Sequence, residues 1–247
     1  MIEKRKVQVS LPSVDAQVLY HEYEGFTVKT LLVAFAQKRR VLSTWSGLRE
    51  VRYVANVYQP LQLSLRTMEK YESFEKAYPK TIGIPNEEIT FLSTAADMDN
   101  MAKAERAYRE LAVCCLATAG AKNNALRTGV DVANWFERNG KFESTLGTIN
   151  VILLTNAPLT DGAMARAIIT ITEAKTAALQ DLNVRSTYTP ENQATGTGTD
   201  NVIVVSGNQP GQPLRYTGGH TKIGELIGHA AKTAVAEALK KQDGLNT

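Results

Sequence analysis

The chain has 247 residues, 43% apolar and 21% charged, an ordinary globular composition that excludes a disordered chain. Its 28 Lys and Arg against 25 Asp and Glu leave a net charge of +3, and no basic run or aromatic-basic ladder marks a nucleic-acid footprint. The longest apolar runs, such as Leu31 to Ala36, fall far short of the roughly 20 residues a membrane helix needs. The opening MIEKRKVQVSLP has no apolar stretch of a secretory signal, so a soluble, cytoplasmic protein is expected.

In chain order, VQVSLP and Val28 to Ala36 read as strands, and RRVLST leads into a turn at Trp45-Ser46-Gly47. Tyr53 to Tyr58 alternates as a further strand. Arg66 to Ala77 has a helical rhythm that Pro79 ends. Ile89 to Ser93 reads as a strand and Asp97 to Arg109 as a helix. Leu111 to Leu116 is a buried strand carrying Cys114 and Cys115; adjacent cysteines without a CxxC or Cys/His cluster read as small core residues. Ile149 to Leu154 is another buried strand, followed by a long helix from about Asp161 to Asp181, with Met164, Ala167, Ile168, Ile171, Ala174 and Ala178 on its apolar stripe. Val202 to Val205 is a last strand, and Ile223 to Leu239 has the cleanest helical period. Strands alternating with helices predict an α/β fold, a layered sheet-and-helix single domain over 1–247.

Three segments at strand ends carry the chemistry, where open α/β sheets commonly place ligands. In ATGTGTDN, Gly196 and Gly198 let backbone approach a ligand, while Thr195, Thr197, Thr199 and Asp200 offer hydroxyls and a carboxylate. It precedes a strand instead of leading from one into a helix, so it is no dinucleotide fingerprint. It also reads as a plain glycine-rich approach to a strand. In GGHTKIGELIGH, Gly218 and Gly219 bring the last helix's N-terminus beside His220, Thr221 and Lys222, where free N–H groups could hold an oxyanion and His220 could move a proton. His220 equally fits a capping or packing role. Glu225 and His229 share a helix face, but two ligands do not make a metal site, and a solvated pair is the simpler reading. No metal is expected. GTINVILLTNAPL is by itself an unremarkable buried strand. GxSxG, HExxH and a Walker A loop are all absent.

Six stretches together resemble the adenosylcobinamide amidohydrolases of corrinoid salvage: VLSTWSGLREVRYVANVYQP, FLSTAADM, LATAGAKNNALRTG, GTINVILLTNAPLTDGAMARAIITITEAKTAALQDLNVRS, ATGTGTDNVIVVSG and YTGGHTKIGELIGHAAKTAVAEAL. They run in the family's order from about residue 40 to 240, with Trp45 standing where smaller residues are expected. The resemblance implies hydrolysis of the amide joining a corrin propionyl group to aminopropanol. Adenosylcobinamide would yield adenosylcobyric acid and 1-amino-2-propanol, with the corrinoid as substrate and no cofactor. Asn56, Asn123, Asn124, Asn150, Asn156 and Asn201 could then pair with the corrin side amides, since each both donates and accepts. Gly120, Thr197, Thr199, Gly218, Gly219, Lys222 and Glu225 would complete the substrate site. No nucleic-acid or membrane partner is implied, and a homo-oligomer is left open.

A second similarity bears on mechanism. GTINVILLTNAPL, then a small-residue helix, then TGTGTDNVIVV is similar to the self-processing aminopeptidase and ornithine acetyltransferase group. There a Ser or Thr opening the corresponding strand becomes an N-terminal nucleophile once the preceding bond is cut. That match makes Thr148 the nucleophile, with its own amine as base after a Gly147–Thr148 break. The alternative keeps the chain whole: His220 or Asp200 activates water or a threonine such as Thr118 or Thr197, and N–H groups at Gly218-Gly219 or Gly120 hold the oxyanion. A corrinoid carrier and a general aminopeptidase or amidase remain the competing functions.

Overall fold

The protein is described here from a computed structural model that defines residues 2–68, 70–133 and 148–245. The first strands are β1 (Glu3–Val7), β2 (Val14–Tyr23), β3 (Phe26–Ser43) and β4 (Gly47–Tyr58), an antiparallel run in which β3 is 18 residues long. Its length decides the architecture. One edge of β3 pairs β2 through Phe26–Phe35 and then β11 (Asn201–Val205) through Val41–Ser43. A register shift between Ala34 and Arg39 lies between these two stretches, and such a bulge sharpens the local twist. The sheet continues β11–β9–β7–β6, with β9 (Ile149–Thr155), β7 (Leu111–Ala119) and β6 (Ala102–Tyr108). On the other edge of β3, β4 carries β5 (Ile89–Thr94) in parallel. A separate small ladder joins β8 (Ala125–Leu126) to β10 (Gly196–Thr197).

The side-chain period of two sorts each strand into two faces. In β9, Val151 and Leu153 pack with α3 (Asp161–Asp181) and α4 (Lys222–Asp243), while Ile152 and Leu154 pack with Leu31, Val33 and Val54 of β3 and β4. Alternate residues of β4 and β5, including Ala55, Val57 and Phe91, face outward onto α2 (Tyr71–Thr81) and α1 (Leu61–Met68) through Phe74, Tyr78 and Leu63. One sheet therefore curls over itself, with an apolar layer between its two halves and two helices on each outer face. β9 and β11 are parallel neighbours and α3 is their crossover, as a parallel pair requires. α3 consequently starts at the C-terminal ends of β9 and β11 and returns to their N-terminal ends.

Thr160 caps α3 by accepting from Ala163 N at 3.2 Å, and Thr221 caps α4 by accepting from Gly224 N at 3.2 Å. α4 ends at Gly244, whose φ of 70° is the left-handed conformation that suits glycine there. Its small apolar stripe, Ala230, Ala231, Ala234 and Ala238, is fully buried against the sheet and α3.

Four sequence expectations need correction. Asp97–Arg109 is not a helix but a short 3-10 turn at Met98–Asn100 followed by β6. Ala102 and Ala104 face inward while Lys103 points to solvent, a strand pattern that small alanines made faint. In VQVSLP only Val7 belongs to β1. The Arg66–Ala77 helix is two helices, α1 and α2. Pro79 lies in the last turn of α2, where only one helical N–H is lost, instead of after its end. Cys114 and Cys115 are free and buried as expected, and burial pushes the Cys114 thiol up to about 12.

Candidate active site

The apolar layer between the sheet halves turns polar at one end. β9 begins there, just after Thr148, and register places Asn150 beside both Asn201 of β11 and Thr118 of β7. Each has the parity of the inter-sheet face, so a row that is Ile152 and Leu154 further on is Asn150 here. The polar atoms are joined across the two halves. Asn150 Nδ2 donates to Asn56 Oδ1 at 2.9 Å and to Ser93 O at 2.9 Å, and Asn56 Nδ2 donates to Thr118 Oγ1 at 2.8 Å. Asn56, Thr118 and Asn150 are at most 2% exposed. Buried amides of this kind are tolerated because they are paired; losing one partner costs about 1–3 kcal/mol.

Thr148, 6% exposed, enters this cluster. Its hydroxyl donates to Thr199 O at 2.5 Å and lies 3.3 Å from Asn150 Oδ1. The next backbone N–H, of Ile149, donates to Asp200 Oδ1 at 3.0 Å. Asp200 also accepts from Thr197 N at 3.0 Å, from Thr197 Oγ1 at 2.5 Å and from the Lys175 ammonium, so two carboxylate oxygens serve four donors. Lys175 comes from the inner face of α3 and is 9% exposed. Gly196 makes room for this pair: a Cβ there would sit 2.6 Å from both Asp200 Oδ2 and Lys175 Nζ. Asn201 accepts from Thr44 Oγ1 at 2.9 Å and donates to Thr199 O at 3.0 Å, which ties in the β3–β4 turn. Asn124 accepts from Gly198 N through its carbonyl at 3.3 Å and is 1% exposed. The cluster reaches solvent at Thr44, Trp45 and Gly198.

The remaining predicted residues divide. Asn123 is exposed in the turn before β8. Gly120 N donates to Thr148 O at 3.1 Å, so it pins the strand start and has no N–H to offer an oxyanion. Gly218, Gly219, His220, Lys222 and Glu225 lie at the other end of β9. Thr217 Oγ1 donates to Ala163 O near the start of α3, and Lys222 sits over the Tyr108 ring at 4.8 Å. Six residue steps of β9 separate the two ends, about 20 Å at 3.3 Å per residue. His220 is exposed, and the geometry does not bring it to Asp200, Thr118 or Thr197. The Gly218-Gly219 turn and Thr221 cap α4, and Gly224 permits the close approach, since a Cβ there would meet Gly218 O at 1.9 Å. A hydrogen bond from Lys222 holds the Glu225 carboxyl below its usual range. Asn156 is also at this end. Its Oδ1 accepts from Ala112 N at 2.9 Å and its Nδ2 donates to Glu110 O at 2.7 Å, which closes the β6–β7 turn region. Gly147 lies outside the described residues.

Sequence reasoning missed Lys175. The signal was present: it stands four residues after Ile171, at an apolar-stripe position of α3, where an unpartnered lysine is costly. No group of three His, Cys, Asp or Glu able to hold a metal occurs among the described residues, and no helix among them is long and apolar enough to cross a membrane.

Fold and site together define a mixed α/β protein with a buried, hydroxyl- and amide-lined end in which, among the described residues, the Asp200 carboxylate is matched by the Lys175 ammonium. The chain belongs to the adenosylcobinamide amidohydrolase family, whose family model matches residues 14–247. A protein of Methanocaldococcus jannaschii, described as uncharacterized, is 51% identical over 225 residues, 87% of each chain. An adenosylcobinamide amidohydrolase of Methanosarcina mazei is 34% identical over 108 residues, covering 40% of this chain and 50% of that one.

Proposed function

We propose that this protein hydrolyses the aminopropanol amide of adenosylcobinamide, giving adenosylcobyric acid and 1-amino-2-propanol, and that the Thr148 end of the sheet is where it does so. The reaction consumes one water: its oxygen joins the propionyl carbon, and the amine leaves with a proton. Family membership supports the amide hydrolase and the corrinoid substrate. The location rests on one observation: Thr148 stands just before β9 with its hydroxyl at the Asn56–Thr118–Asn150 cluster, a polar end of the otherwise apolar inter-sheet layer. No resident cofactor has a part in this reading.

The geometry favours an N-terminal threonine over an intact-chain mechanism. Among the described residues no free base adjoins the Thr148 hydroxyl, which donates to a backbone carbonyl. Four donors already occupy the Asp200 carboxylate, and His220 is at the far end. An α-amine exposed by a Gly147–Thr148 break would supply the base on the nucleophile's own residue. In that reading Asp200 and Lys175 fix the backbone of Ile149 and so aim Thr148. The denaturing mass spectrum of active enzyme tests it. Fragments of 147 and 100 residues are expected; a fully active intact chain would contradict the self-processing step while leaving the hydrolase reading in place.

A further inference from the structure

The opposite end of the inter-sheet layer holds a charge that the hydrolase site does not use. Arg39 follows the β3 bulge and has the same inward parity as Val33, Phe35 and Val41, all members of the apolar core. It is 6% exposed. Its guanidinium lies 5.8 Å from the centre of the Phe35 ring, and its Nη1 is buried with no hydrogen-bond partner among the described residues. Among the described residues no carboxylate pairs with it; its neighbour Arg40 points the other way, to Asp161 at 2.6 Å. Burying an arginine without an acceptor is expensive, and a buried cation ordinarily sits beside an anion.

Arg39 forms one wall of a small, partly open cleft of about 20 Å³ between the sheet halves. Leu154, Val205 and Leu11 supply apolar walls, and Ser206, Asn208 and Gln209 supply polar ones. Asn208 and Gln209 belong to the exposed loop after β11 and make no side-chain hydrogen bonds among the described residues. Among the described residues, Arg39 is the only ionisable one lining the cleft. Burial also holds its guanidinium below its usual range, in keeping with a charge that lacks its counterpart.

From this geometry we infer that the Arg39 cleft binds a small oxyanion, a carboxylate or a phosphate. The planar fork of the guanidinium grips two oxygens, and the amides of Asn208 and Gln209 donate to the rest. The site is independent of the hydrolase reading, since it stands at the other end of the sheet and would persist if Thr148 had no part in catalysis.

Isothermal titration of the full chain in low-salt buffer, with acetate and with inorganic phosphate separately, tests this. Saturable one-to-one binding of either anion is expected, and the tighter of the two identifies the class. Arg39→Lys keeps the charge but loses the fork, and should weaken binding about tenfold, the loss of roughly one charge-assisted hydrogen bond. Arg39→Met should abolish it while raising the melting temperature of the anion-free protein, because it removes an uncompensated buried charge. Heat that does not saturate with either anion would overturn the proposal. So would binding that Arg39→Lys and Arg39→Met leave unchanged.

Discussion

Lys175→Met is the sharpest test of how the site is held. Lys175 and Asp200 have side-chain exposures of 11% and 15%, so their pairing is screened little by solvent. Methionine fills the same volume but leaves Asp200 with three donors, the N–H groups of Ile149 and Thr197 and the Thr197 hydroxyl. Breaking a buried pair from one side costs about 3–5 kcal/mol; the remaining donors place this one near 3 kcal/mol. For a chain of this size that lowers the melting temperature by about 6–12 °C. Asp200→Asn alone strands the ammonium and should cost as much. The double variant strands neither charge, so the two losses should fall short of additivity by about 2 kcal/mol. Thermal and urea unfolding of the four proteins complete the cycle. A loss under about 1 kcal/mol for Lys175→Met, with additive effects, would show that the ion pair does not hold the start of β9.

Gly196→Ala reaches the same pair from the backbone side and should lower stability by about 1–2 kcal/mol, read by urea unfolding, since its methyl would displace the two charged side-chain ends. His220→Ala, exposed and at the far end of the sheet, should keep turnover within about twofold of the parent; a loss of about 100-fold would make it the base after all. Native protein at pH 8 should resist alkylation at both cysteines, because burial pushes the Cys114 thiol up to about 12 and raises Cys115 as well. Intact mass after iodoacetamide treatment should show no adduct natively and two after denaturation. Burial alone would raise the Glu105 carboxyl, but hydrogen bonds from Lys103 and from the N–H and hydroxyl of Ser10 outweigh it and hold the carboxyl below its usual range. A depressed folded value means this stabilisation is full above the ordinary glutamate range and is lost as pH falls through the folded value. Glu105→Gln should flatten that part of the acid limb in a pH series of urea melts.

What the sequence made legible follows from how strongly each pattern was written. α3 and the apolar stripe of α4 were plain, because long helices with threonine caps repeat their period several times. β6 was not, since AKAERAY carries good helix formers and its buried face is only alanine, so tertiary pairing with β7 decided its state. Thr148, Asn56, Thr118 and the Thr197–Asp200 pair come from separate parts of the chain yet gather at one end of the sheet; the family resemblance pointed to Asn56, the mechanistic alternatives to Thr148 and Thr118, and the strand-end argument to Thr197 and Asp200. The same argument also pointed to His220 and Asn156, because both ends of β9 carry polar residues and a sequence does not say which end of a sheet a loop occupies. The closing role of Lys175 depends on α3 crossing back over β9, which only the folded chain displays.

The most direct test is to follow adenosylcobinamide by mass spectrometry with the parent protein and with Thr148→Ala. Adenosylcobyric acid and 1-amino-2-propanol should accumulate with the parent and fall by about a thousandfold or more with the variant, the scale of losing a nucleophile. Substrate left unchanged by the folded parent would contradict the hydrolase reading. Equal turnover by the two proteins would contradict the placement of the chemistry at Thr148.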